Sequence, residues 1–344
     1  MSHARRFALA GLMVVAACKT GGTPSTGHTP PTLVFLGALE LPPTRALDAP
    51  VGGLSALAYD ATLDVLWALS DDRSERGPAR IHAFRVHHQD ARPTGLDLLR
   101  TLPLLDAQGH PFERHTLDPE GLTLAGPDHF LLSSEGITSK GIPPFVVKLD
   151  RNNAAVVETL VLPDAFIPDA PMPNQTRGVL DNFGLEALGT CPDQTALTMN
   201  EAPLAQDRPR GNVLRVLVFP PAAAAPPSQW EYVLEPAPPG SLVHGVTSLL
   251  CLEKQDVLTL ERSWGKEVGF FNRIFHVDFS QTPARKTLVL DLNTLALRRD
   301  NYEGLSLGPT LPDGRRTLYV VSDDNFLAEQ ATVLAWFAFS PLKH

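Results

Sequence analysis

Basic charge is scarce in this chain: its 344 residues carry 29 Lys+Arg against 38 Asp+Glu, a formal charge of −9, and no lysine-rich stripe. That argues against nucleic acid as a partner, because a phosphate backbone is held by clustered basic side chains. Cysteine is scarcer still, at three residues with no CxxC or other metal-ligand spacing, so a zinc site is not indicated. No G-x-S-x-G supports a serine nucleophile elbow, and no glycine-rich loop of the nucleotide-binding type is present. No stretch of ten or more residues shows a helical apolar period, which removes the parallel α/β folds.

Proline is the residue in excess, with 32 in the chain, about twice the usual share of roughly 5%. Proline breaks helix interiors and central strands, so it favours short elements joined by many turns. Apolar residues at 43% suffice for a sizeable core.

The N-terminus reads as an export signal. Arg5 and Arg6 precede an apolar stretch, Phe7 to Ala17, that ends at Cys18 and is too short to span the hydrocarbon core. Val15-Ala16-Ala17-Cys18 resembles the lipobox of bacterial lipoproteins, in which the signal is cut before a cysteine that is then lipidated. An ordinary secretory signal with a chance cysteine is the alternative. Residues 1–17 are therefore expected to be a signal peptide and residues 18–31 a flexible tether. No second apolar run approaches membrane-spanning length. The mature protein is expected outside the cytoplasm, anchored to a bacterial membrane (periplasm or outer membrane) through lipidated Cys18, and monomeric.

Self-comparison organises the rest. Segments starting at residues 55, 120, 186, 247 and 303 share one pattern: an acid or hydroxyl, a small residue, a leucine, a turn, then an apolar run ending in an acid. Each reads as a β-hairpin. Third strands are expected at 79–88, 143–151, 212–220, 272–280 and 332–340, and fourth strands at 95–105, 155–163, 229–237 and 285–293. The last repeat lacks a fourth strand, and the N-terminus has a spare one at 32–42. These pieces predict an all-β fold: a β-propeller over 32–341 with five four-stranded blades, closed by the N-terminal strand. A sixth, diverged blade stays open around 164–182. Cys191 and Cys251 occupy matching places in neighbouring repeats, as a disulfide or as two buried thiols.

In a propeller the opener and closer of each hairpin lie near one mouth of the channel. The openers are Ser55, Glu120, Glu186, Thr247 and Glu303. The closers are Asp71 or Asp72, Glu135, Glu201, Glu261, and Asp323 or Asp324. Such crowding of carboxylates calls for a cation, basic side chains or protonation. Basic residues do accompany them: Arg114 and His115, Arg177, Arg298 and Arg299 before openers, Arg73 and Arg262 after closers. Acids at strand ends also cap backbone N–H groups, and both roles stay open. His115 and His244 are the two histidines near openers that could serve as acid or base.

Asp118-Pro119-Glu120-Gly121-Leu122 with Ser134-Glu135, Asn182 to Leu188 with Asn200-Glu201, and Asn301-Tyr302-Glu303-Gly304-Leu305 with Ser322-Asp323-Asp324 resemble the phytase-like ("esterase-like activity of phytase") domain family. The resemblance covers about Leu54 to Phe326. It implies Ca2+-assisted hydrolysis of a small anionic ester or phosphoester at an acidic channel mouth. Carried over, Glu120, Glu135, Glu186, Glu201, Glu303 and Asp324 would be calcium or channel acids. Arg177 and Arg299 would face phosphate, and Glu120 or Glu186 would take the proton. The family is related in pattern to the calcium-dependent β-propeller phytases, but the Asp-Asp-Pro-Ala-type motif that those carry early in the chain is missing here, and lysine, richer at their mouth, is sparse near the closers. Two other functions remain: a non-catalytic ligand- or protein-binding propeller of the cell envelope, and a lactonase-type metal hydrolase.

Overall fold

The computed structural model describes residues 31–341, apart from Asp90 and residues 222–224. The signal segment, Cys18 and nearly all of the tether lie outside the described residues.

Five antiparallel four-stranded sheets follow one another along the chain. Blade 1 is built from Leu54–Asp60, Val65–Ser70, Arg80–Gln89 and Arg92–Pro103. Blade 2 takes Pro119–Ala125, His129–Ser134, Phe145–Asp150 and Val156–Leu160; blade 3 takes Leu185–Thr190, Ala196–Asn200, Val213–Phe219 and Ser228–Val233. Blade 4 takes Val243–Glu253, Asp256–Gly265, Gly269–Asp278 and Arg285–Asp291. Blade 5 takes Asn301–Thr310, Arg316–Asp323 and Val333–Ser340, and its outermost strand is the N-terminal Thr32–Glu40. That strand pairs from Thr32 opposite Ser340 to Glu40 opposite Val333, so the ring closes as the spare strand requires.

Burial explains why some strands read as unbroken apolar runs. Second strands sit between neighbouring sheets and are covered on both faces: every residue of Val65–Ser70 is buried. Fourth strands lie at the rim, and Val156–Leu160 has no fully buried residue. Each join between blades has its own apolar cluster. Trp67 of blade 1 meets the edge of Phe130 of blade 2 with ring centroids 5.1 Å apart, and Tyr319 and Trp336 of blade 5 pack on Leu57 and Leu66 of blade 1.

Residues 164–182 form no further sheet. Asp164–Phe166 is a single 3-10 turn, and Phe166 and Val179 fill the join between blades 2 and 3. The propeller has five blades.

Cys191 and Cys251 form a disulfide with Cα atoms 4.9 Å apart, joining blades 3 and 4 at the end of the channel opposite the hairpin starts. The bond spans 60 residues, and restricting the unfolded chain over such a loop typically contributes about 2–4 kcal/mol. Cys191→Ser with Cys251→Ser is therefore expected to lower the urea midpoint, and reductant should do the same to the parent protein alone.

Candidate functional site

One device recurs in all five inner strands. Pairing with the second strand slips by one residue at Ser55, Glu120, Glu186, Thr247 and Glu303, the opener of each repeat. A β-bulge leaves its extra residue outside the ladder and re-aims the side chain. Here it brings oxygens of Glu120, Glu186 and Glu303, from three blades, within 4.8 Å of one another. The small residue that follows is a crowding requirement: a Cβ on Gly121 would lie 2.5 Å from that of Leu188 in the next blade. The leucine after it, Leu57, Leu122, Leu188, Leu249 or Leu305, is buried and forms a collar below the mouth. The repeated opener–small–leucine motif thus supplies a mouth group, room at the axis, and an apolar floor.

Strand pairing also decides which closers face the mouth. The backbone N–H groups of Asp71, Glu135 and Glu201 donate to the carbonyls of Gly53, Asp118 and Gly184. Arg262 pairs with Gly245 and Asp323 with Asn301. Asp324 is thereby corrected as a mouth ligand. Its carboxylate accepts from the backbone N–H groups of Gly53 and Phe326 and from Thr332 Oγ1, at 2.9, 3.0 and 3.0 Å, capping the seam between blades 5 and 1. Asp323 stands in the mouth instead. Glu261 also turns away: it accepts from Tyr232 Oη at 2.8 Å and pairs with Lys286. Arg262, the next residue, takes the mouth position.

The mouth is a cavity of about 450 Å³ lined by Asp71, Arg73, Glu120, Glu135, Glu186, Glu201, Arg262, Glu303 and Asp323, among others. Asp118 sits against it, since Asp118, Glu120 and Glu135 form a second close triplet, and Glu135, Glu186 and Glu201 a third. Arg177 and Arg299 are not brought there. Both are exposed; Arg177 donates to the Ile167 carbonyl at 3.3 Å, and neither lines the cavity. The cations at the mouth are Arg73, bonded to Asp118 at 2.5 Å and Asn182 at 2.7 Å, and Arg262. The latter is bonded to Glu201 at 2.5 Å and Asn301 at 2.8 Å and lies 3.5 Å from Glu303. The histidines stand back as well: His244 bonds Ser263 and the Glu235 carbonyl, and His115 pairs with Glu75.

Besides Glu329, an exposed acid on the cavity's rim, eight acids (Asp71, Asp118, Glu120, Glu135, Glu186, Glu201, Glu303, Asp323) therefore face two arginines. Two ionised carboxylates within 4.8 Å repel by roughly 3.5 kcal/mol at an effective dielectric constant of about 20. Burial pushes Glu120, Glu135, Glu186 and Asp71 well above the ordinary carboxylate range, and neighbouring carboxylates push further: Glu186 on Glu120, Asp323 on Asp71. Burial and Asp323 raise Glu303 to about 8, and burial raises Asp323 to about 7. Asp118 is raised by burial to about 6 against the pull of Arg73. Burial works to lower Arg262, but Glu201, Glu303 and Glu186 together raise it.

The donor set is all oxygen from carboxylates, and the Oδ1 atom of Asp71 is buried without a hydrogen-bond partner. Clustered hard anionic oxygens with an unsatisfied member fit Ca2+, which takes six to eight such ligands. Glu120, Glu135 and Glu186 each belong to two of the three triplets, so the triplets join into one continuous cluster of donors.

No curated protein matches the chain. Among solved structures it is similar to an oxidoreductase (glucose dehydrogenase) from Thermus thermophilus, at 12% identity over 88% of this chain and 99% of that one, with TM-score 0.43. A thermostable family-43 glycoside hydrolase gives 8% identity over 86% and 91%, with TM-score 0.45, and the N-terminal domain of Nup159 gives 11% over 90% and 96%, with TM-score 0.38. The family model "Phytase-like: Esterase-like activity of phytase" matches residues 49–326, from the approach to blade 1 to the turn after Asp323, and the chain belongs to that phytase-like family.

Proposed function

We propose that this is an extracytoplasmic, lipid-anchored hydrolase that binds Ca2+ at the acidic mouth and cleaves a small anionic ester or phosphoester. The observation that carries the reading is the excess of eight acids, six of them buried and two partly buried, over two arginines. The ligand set is Asp71, Glu120, Glu135, Glu186, Glu201, Glu303 and Asp323, with Asp118 behind it. Bound Ca2+ would supply Lewis-acid charge to polarise the scissile group. Arg262 and Arg73 give the mouth positive charge to draw an anionic substrate and hold its oxygens. Hydrolysis adds the oxygen of water to phosphorus or the acyl carbon and breaks the bond to the alcohol oxygen, which leaves with a proton. Glu120, which is only partly buried, or Glu186 would take the water's proton. Export is supported by the lipobox-like Val15–Cys18 and by the Cys191–Cys251 disulfide, which suits an oxidising compartment.

The test is turnover of 4-nitrophenyl phosphate and 4-nitrophenyl acetate by the purified protein. Hydrolysis should be lost in EDTA, restored by Ca2+, and fall by about a hundredfold or more in Glu120→Gln, which removes a Ca2+ ligand together with a proton acceptor. Turnover indifferent to EDTA contradicts the metal hydrolase. Ca2+ binding with no turnover of either substrate class would favour the binding propeller.

A further inference from the structure

The hairpin of blade 4 that carries Arg262 is longer than its counterparts. Its second strand, Asp256–Gly265, runs ten residues, whereas those of blades 1, 2, 3 and 5 have six, six, five and eight. The added length carries the strand past Arg262 to Trp264. Side chains two apart on a strand share a face, and both Arg262 and Trp264 line the mouth cavity. Phe270 lies directly across the ladder from Trp264, with ring centroids 6.3 Å apart. Val243 and Leu327 also line the cavity. One wall of an otherwise anionic mouth is therefore aromatic and apolar, and it begins two residues from an arginine.

A polyol carrying only phosphates gains little from such a wall, because its charges would be desolvated against the rings without a partner. A flat apolar group would bury against Trp264 and Phe270 while its attached anion meets Arg262 and the cation site. We infer that the mouth selects phosphoesters whose alcohol is aromatic, with Trp264 and Phe270 as the residues that read the ring. This rests on the calcium-hydrolase reading above and names the substrate class for it.

The test is calorimetric binding of inorganic phosphate, glycerol 2-phosphate and phenyl phosphate to the Ca2+-loaded protein under conditions without turnover. Phenyl phosphate should bind about tenfold tighter than glycerol 2-phosphate. Trp264→Ala should bring the two within about twofold of each other while leaving inorganic phosphate affinity unchanged, and Trp264→Phe should keep most of the preference. An unchanged melting temperature in both variants separates a lost wall from a lost fold, and Phe270→Leu gives an independent second reading of the same wall. Inorganic phosphate bound with no aryl preference, or a preference that survives Trp264→Ala and Phe270→Leu, overturns this inference and leaves the hydrolase standing. No binding of inorganic phosphate at all overturns both.

Discussion

Changing Glu120 and Glu186 together to glutamine is expected to raise the melting temperature of the metal-free protein at about pH 8 and to erase its response to Ca2+. The two carboxylates belong to different blades and stand within 4.8 Å of each other and of Glu303. Without a cation the folded protein must either bear their repulsion or take up protons that the unfolded chain does not bind at that pH. Glutamine keeps the shape, exchanges one acceptor oxygen for an NH2 that can donate to a neighbouring carboxylate, and removes the charge, so the native state gains. With a few kcal/mol released, the rise should be on the order of 5 °C. The same substitution deletes oxygens that belong to all three acid triplets, which is why stabilisation by Ca2+ should vanish. A lower melting temperature without metal, with the Ca2+ response intact, would mean that these glutamates act as structural caps.

The opposite sign is expected at Arg262. Its side chain is 13% exposed and contacts Glu201, Glu303 and Asn301. Arg262→Met keeps much of the length and loses the charge, leaving buried carboxylates without their nearest cation. Removing one partner of a buried ion pair typically costs about 3–5 kcal/mol, and urea unfolding of the metal-free variant should show a loss of that size. Ca2+ should recover part of it by restoring positive charge to the mouth. A loss below about 1 kcal/mol would show that the acids are already neutralised by protons.

The blade count was legible because a propeller repeats one hairpin, and repetition survives errors in any single boundary. The spare strand at the N-terminus found its partner for the same reason: four complete blades and one short of a strand leave it one place to go. The facing of individual side chains was less legible, because strand side chains alternate and a slip of one residue turns each to the other side. That is why Asp324 and Glu261 read as mouth acids while Asp323 and Arg262 occupy those places. The bulge at each opener leaves no composition signal of its own, but the small residue after it does: Gly121, Ala187 and Gly304 mark where the inner strands crowd. Arg177 and Arg299 failed for a different reason. They precede openers in the chain, yet the segments that carry them are surface loops, so nearness in sequence did not become nearness in space. Trp264 and Phe270 fall in the gap between the closer Glu261 and the third strand expected from 272, and only the structure shows the strands of blade 4 running on through them.

The most direct measurement is the melting temperature of the protein in EDTA and then in millimolar Ca2+, at about pH 5.5 and about pH 8.5. The acids with raised values, Asp118 near 6, Asp323 near 7 and Glu303 near 8, bind protons more tightly folded than unfolded. Their stabilising contribution is full below the ordinary carboxylate range and drains as pH rises through those values. In EDTA the melting temperature should therefore fall between the two conditions. Ca2+ should raise it by roughly 5 °C or more at the higher pH and by little at the lower, where protons already occupy the carboxylates. A melting temperature that ignores Ca2+ at both values and stays level in EDTA would contradict a cation site at the mouth.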